Sequence, residues 1–213
     1  MGSVLDSLDS RTNILKPIIL LGVTIPVVLG YLYVFKYSVN VPFWDDWDFI
    51  IHYFHKYYEN NLKILELFNQ HTESRPFFPR AILITIFQIT NVNLKTVSFL
   101  QLIIHCFSII LLLFMFRDYY KKLVFSDLDS LFLLSLLPLL YFTFNFYLIG
   151  SFLWTTIFTH VFMIFSFILS IYFINKSNKL DLNFIGGVAS AIISTFSFFT
   201  GVLVWIVLFV QIT

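Results

Sequence analysis

Charge is scarce in this sequence. Asp, Glu, Lys and Arg make up 12% of its 213 residues, against about 25% in an ordinary soluble domain. So few charges cannot cover a surface facing water, and with 59% hydrophobic residues most of the exterior is expected to face lipid. Neither sign is in excess: Lys+Arg number 13 and Asp+Glu 12. That excludes a nucleic-acid binder, which needs basic side chains to neutralise phosphates. The single cysteine, Cys106, excludes an internal disulfide framework and reads as a buried, inert thiol in an apolar run. No Gly-rich phosphate loop, GxSxG or HExxH spacing is present. What is plentiful is the aromatic residues, including 28 Phe, 11 Tyr and 4 Trp.

Long uncharged windows organise the chain. About 20 apolar residues cross a bilayer as a helix, and the first window runs from Pro17 to Phe35 between Lys16 and Lys36. Asp6, Asp9 and the lack of a small-residue cleavage site argue for a retained helix rather than a signal peptide. Phe77–Thr90 is apolar but short, which predicts a helix lying along the interface or re-entering the bilayer, ended by Asn91-Val92-Asn93. Further windows follow near Thr96–Phe116, Leu131–Leu148, Phe152–Ile174 and Asn183–Phe199, and a last one begins near Gly201. Basic residues punctuate them at Arg117–Lys122 and Asn175–Lys179. Short Lys- and Arg-rich loops stay cytoplasmic. The pattern therefore predicts a multi-pass cell-membrane protein with a cytoplasmic N-terminus and about six crossings. Asp127 and Asp129 then complement the positive end of the following helix. The expected fold class is all-α, a polytopic transmembrane helical bundle. Residues 1–213 form part of one transmembrane domain, and 37–95 form a first extracytoplasmic loop with interfacial helices.

That loop holds half of the acids: Asp45, Asp46, Asp48, Glu59, Glu66 and Glu73. Its first cluster reads Pro42-Phe43-Trp44-Asp45-Asp46-Trp47-Asp48. Trp44 and Trp47 suit the headgroup level. From Trp47 onward, Ile50, Ile51, Phe54 and Tyr58 recur at helical spacing opposite Asp48, His52, His55 and Glu59, as in an amphipathic surface helix. Two readings of the acids stand side by side. Asp45 and Asp48 can cap that helix in the manner of a capping box. Alternatively, neighbouring Asp45 and Asp46 repel, which raises the pKa of one and poises it as a general base. Clustered carboxylates also suit Mg²⁺ or Mn²⁺, with Asp45 and Asp46 as ligands.

The second cluster, Gln70-His71-Thr72-Glu73-Ser74-Arg75-Pro76-Phe77-Phe78-Pro79-Arg80, brings the chain back toward the membrane. Glu73 and Arg75 can form a local ion pair, and Arg80 can snorkel to the interface. His71 reads either as a polar loop residue or as a ligand. His105 and His160 fall inside spans, where a His is either functional or bonded to a neighbouring helix.

Taken together, Trp44–Asp48 and Gln70–Arg80 resemble the "WDDWD … QHNEHRIFFPR" pattern of polytopic glycosyltransferase-like proteins of the GT-C superfamily. The departures lie at Thr72, Ser74 and Pro76. Ser194–Trp205 is similar to the same proteins' "STFSFANGLLVWP", with Thr200 in place of Asn and Ile206 in place of Pro. The polar signature expected near Asn145–Trp154 is weak and carries no acid. The resemblance implies the N-terminal portion of a GT-C-like transferase that moves a sugar from a polyprenyl-phosphate donor to an acceptor at the extracytoplasmic face, with inversion. It implies Asp45 as the base, with Asp46 beside it. Asp48, Trp44, Trp47 and His71 are then substrate-binding, Arg75 and Arg80 face the lipid phosphate, and Glu73 orients Arg75. The partners are the bilayer, the lipid-linked donor, and further transmembrane segments or a second chain. A noncatalytic polytopic protein, whether degenerate homologue, scaffold or transporter-like fragment, is the alternative. A transporter should carry charges within its spans, and here they sit in loops.

Overall fold

The computed structural model describes residues 2–123, 137–177 and 180–212. The protein is all-helical, with no strand among the described residues. In chain order the elements begin with α1 (Gly2–Tyr37), α2 (Asp46–Phe49), a π-helical turn (Ile50–His55) and α3 (Lys56–Tyr58). A 3-10 turn (Ile64–Phe68), α4 (Phe77–Thr90) and α5 (Leu94–Leu123) follow. Residues 137–143 are helical and are called α6; α7 spans Phe146–Ser151. After a 3-10 turn (Thr155–Ile157) come α8 (Phe158–Lys176), α9 (Leu182–Thr195), a 3-10 turn (Phe199–Val202) and α10 (Leu203–Ile212).

Among the described residues, three stretches are long and apolar enough to cross a membrane: Leu20–Tyr37, Leu94–Asp118 and Thr155–Lys176. The window expected at Asn183–Phe199 is shorter as a helix. Its α9 has 14 residues, about 21 Å at 1.5 Å per residue, against a hydrocarbon core of about 30 Å. Residues 131–136 of another expected span, Asp127, Asp129 and Lys179 lie outside the described residues. The basic stretch Arg117–Lys122 is the final part of α5 rather than a loop.

The chain divides into two compact units, Met1–Tyr37 with Phe116–Ser151, and Ser38–Met115 with Phe152–Thr213. In the first, α1 meets α7 at Gly30, where an added Cβ would lie 3.0 Å from both Ile149 and Phe144.

The second unit carries the acidic segment. Its core gathers Phe49, Tyr53, Leu67, Leu83, Ile84, Phe87, Leu94, Val97 and Phe158, so the short helices at 46–58, α4, and the starts of α5 and α8 share one apolar centre. The helical face between 46 and 58 meets the sequence expectation in part. Ile50 and Phe54 pack against this core as expected, but Phe49 and Tyr53 are its buried members, and Ile51 and Tyr58 are exposed. Helix α4 has the expected bounds and ends at Asn91 in the left-handed conformation, which Asn tolerates well.

Small residues let α8 and α9 approach closely. Ser170 Oγ donates to the Gly187 carbonyl at 2.7 Å, and a Cβ at Gly187 would come within 2.6 Å of Ile174. Further along, Ser194 Oγ donates to the Met163 carbonyl. Asp181 caps α9 by accepting the Phe184 N–H at 2.8 Å.

Candidate functional site

A cavity of about 320 Å³ opens in the second unit, a size that suits a small ligand. One wall comes from the acidic segment and α4: Asp45, Asp48, Tyr53, His71 and Arg80. The other comes from the chain entering α8: Trp154, Thr155, Thr156, Thr159 and His160, with Phe198 beside them.

The three aspartates have three different situations. Asp46 is 2% exposed. Its Oδ2 accepts the Phe43 N–H at 3.0 Å and its Oδ1 accepts the Thr156 N–H at 3.1 Å. It therefore fastens the acidic segment to the turn before α8. Burial pushes its carboxyl above the ordinary range; the N–H groups of Phe43, Thr156 and Thr155 pull the other way, and the charge of Asp45 adds slightly to the rise. Asp48 accepts His52 Nδ1 at 2.8 Å through Oδ1, and lies 3.5 Å from His71 Nδ1 through Oδ2. Asp45 stands at the N-terminus of α2, yet its side chain makes no capping hydrogen bond. It is exposed, lines the cavity, and among the described residues has no ion pair or side-chain hydrogen bond.

Arg80 is 4% exposed. Its Nη1 donates to the carbonyls of Leu67, at 2.9 Å, and Asn69. Its guanidinium carbon lies 4.2 Å from the Tyr53 ring centre, a cation–π contact. Burial lowers its pKa, opposed by Tyr53 and Asp48; burial also raises that of Tyr53. Among the described residues no acceptor takes the Nε or Nη2 hydrogens of Arg80, which leaves donors for the cavity.

His71 and Ser74 close a tight turn by exchanging both backbone hydrogen bonds, at 2.8 and 3.0 Å. Thr72 sits in it at φ 51°, and Gln70 Nε2 donates to the Thr72 carbonyl. Glu73 and Arg75 are exposed, make no pair with each other, and do not line the cavity. Trp47 is exposed and also stands outside the lining.

The carboxylates do not converge as a metal site would require. Both oxygens of Asp46 already accept backbone N–H groups, and Asp48 faces two imidazoles. Among the described residues no three His, Cys, Asp or Glu side chains gather to hold an ion. A divalent cation at Asp45 and Asp46 therefore does not fit this donor set.

Several lining residues were not predicted. His160, which the sequence places inside a span, lines the cavity, its ring 3.9 Å from the Phe198 ring and its Nδ1 3.2 Å from Thr159 Oγ1. Trp154, Thr155 and Thr156 had no signal of their own. Gln101 of α5, fully buried, donates Nε2 to the Trp154 carbonyl at 2.8 Å and holds that strand of chain in place. Its Oε1 has no hydrogen-bond partner.

Set against family models, curated proteins and solved structures, the chain matches none of them.

Proposed function

We propose that this is a multi-pass membrane glycosyltransferase of GT-C-like arrangement. It takes a sugar from a polyprenyl-phosphate donor and passes it to an acceptor hydroxyl at the extracytoplasmic face. The observation that carries this reading is a single cavity holding an unpartnered carboxylate, Asp45, and a buried guanidinium with free donors, Arg80. The motif resemblance at Trp44–Asp48 and Gln70–Arg80 supports the same reading. Six crossings, a cytoplasmic N-terminus and an extracytoplasmic 37–95 segment belong to it.

The chemistry assigns each group one task. Asp45 accepts the proton of the acceptor hydroxyl, and that oxygen forms the new bond to the anomeric carbon. The bond from that carbon to the donor phosphate oxygen breaks, and the lipid phosphate leaves with the electron pair from the opposite face, so configuration inverts. Arg80 Nε and Nη2, with His71, stabilise the charge on the departing phosphate. Asp46 keeps Asp45 at the cavity edge by fixing the backbone on both sides. No step passes through a metal.

The test is transfer of a radiolabelled sugar from a polyprenyl phosphate in membranes holding the full chain. Asp45→Asn removes the base without removing any side-chain contact, so it should abolish transfer and leave insertion and thermal unfolding as in the wild type. Undiminished transfer by Asp45→Asn would overturn the assignment of the base. The noncatalytic alternative draws support from Arg80 and Asp46, each of which already holds backbone groups together; it is the outcome if no lipid-linked sugar is transferred by the wild type.

A further inference from the structure

Three aromatic rings cluster around Trp154, which lines this cavity. Phe43 and Trp154 have centroids 5.1 Å apart, Trp44 and Trp154 6.3 Å, and Phe43 and Trp44 6.2 Å. Packing with one another has not hidden them: Trp44 is 73% exposed, Phe43 50% and Trp154 39%. Trp154 lines the cavity that also holds Asp45.

Hydrogen bonds fix their backbones. Phe43–Asp46 is a turn closed twice, by the Asp46 N–H on the Phe43 carbonyl and by the Phe43 N–H on Asp46 Oδ2, both at 3.0 Å. Trp154 is held through its carbonyl by Gln101. Trp44 occupies the left-handed region at φ 47°, a costly conformation for a bulky side chain. Strain of this kind persists where surrounding structure enforces it, and it concentrates at ligand clamps. An aromatic that only anchors a segment at the headgroup level needs no particular backbone angle.

We infer that Phe43, Trp44 and Trp154 form a stacking platform for a pyranose ring, placed so that the ring's hydroxyls reach Asp45. The face of a sugar ring is a row of polarised C–H bonds, which packs well on the negative face of an indole. Its rim of hydroxyls requires an acceptor such as a free carboxylate, and Asp45 is one. This inference rests on the transferase reading for its role but not for its detection. The ring belongs either to the acceptor or to the donor's sugar, and both present the same chemistry.

The experiment is saturation-transfer NMR on the full chain in a phosphocholine detergent that bears no sugar, with methyl pyranosides and cellobiose as probes. Wild-type protein should transfer saturation to the ring C–H protons of at least one probe. Trp44→Gly and Trp154→Ala should bind about tenfold more weakly. Trp44→Gly removes the strained side chain and should fold at least as well as the wild type, so its loss of binding cannot be assigned to misfolding. Trp205→Phe, whose indole donates to Thr195 Oγ1 outside the cavity, should bind as the wild type. Saturating sugar-free polyprenyl phosphate that leaves the signal intact assigns the platform to the acceptor, and one that removes it assigns the donor; either result supports the platform. No signal with any probe, or equal signals in Trp44→Gly and Trp154→Ala, overturns it. Saccharide binding without transfer would instead overturn the transferase reading and leave the platform standing.

Discussion

Asp46 and Thr156, 110 residues apart in the chain, are joined by a hydrogen bond of 3.1 Å from the Thr156 N–H to Asp46 Oδ1. The same carboxylate holds Phe43. Removing it leaves two N–H groups without their acceptor. Asp46→Ala should therefore lower stability by roughly 2–3 kcal/mol, measured by thermal unfolding in detergent. An unchanged midpoint would show that the two segments are held by something else.

The same residue imposes a pH dependence. Burial raises the folded-state pKa of Asp46 above its ordinary 3.8, so the native state binds more protons than the unfolded state between those two values. The stabilising contribution is complete below the unfolded pKa and is lost as pH rises through the folded one. Comparing wild type with Asp46→Asn, whose side chain does not titrate, the difference in unfolding midpoint should change with pH in that window and be flat above it.

Arg80→Lys tests a different kind of contact. Lysine keeps the charge but has no planar fork to bridge the Leu67 and Asn69 carbonyls while stacking on Tyr53. A loss of about 1–3 kcal/mol is expected, together with weaker binding of the lipid phosphate. Full retention of both would contradict the role given to the guanidinium.

Thr72 is β-branched and left-handed, at φ 51°. Asn adopts that region readily. Thr72→Asn should raise stability by about 0.5–1 kcal/mol. A decrease would mean that the hydroxyl, which donates to the His71 carbonyl at 2.7 Å, matters more than the backbone angle.

Gly201 and Gly150 make a matched pair. A Cβ at Gly201 would overlap the Ser194 carbonyl oxygen, whereas at Gly150 the nearest atom is the Tyr33 hydroxyl at 3.7 Å. Gly201→Ala forces backbone to move and should cost roughly 3–5 kcal/mol or prevent folding; Gly150→Ala should be nearly neutral. Similar unfolding midpoints for the two variants would refute the close approach at Ser194.

Local signals carried far in this sequence, and distant ones did not. The run Phe77–Thr90 and its break at Asn91 announced α4 because apolar length and a left-handed residue are properties of neighbouring positions. Asp45, His71 and Arg80 stood out as polar residues beside apolar runs, and all three line one cavity. Nothing in the sequence said that Asp46 would be buried rather than free, since its partner Thr156 lies in a stretch with no acid and no motif. Of the two readings open for Asp45, the capping one has no hydrogen bond behind it; the turn before α2 is closed by the neighbouring Asp46 instead. Spacing found Ile50 and Phe54 but missed Phe49 and Tyr53 and wrongly included Ile51 and Tyr58, because the run from Phe49 to Phe54 is apolar apart from His52 and several faces fit it equally.

The π turn at Ile50–His55 makes the segment editable. Such a turn holds one residue more than an α turn, so deleting the exposed Ile51 would let the helix close in regular α form. Because the π turn already absorbs that residue, the segments on either side would keep their faces. Asp45 and Asp48 would stay at the cavity, and Phe49 and Tyr53 would stay buried. A single-codon deletion at this place is thus expected to be tolerated, whereas the same deletion inside the regular α4 would turn everything before it by about 100°.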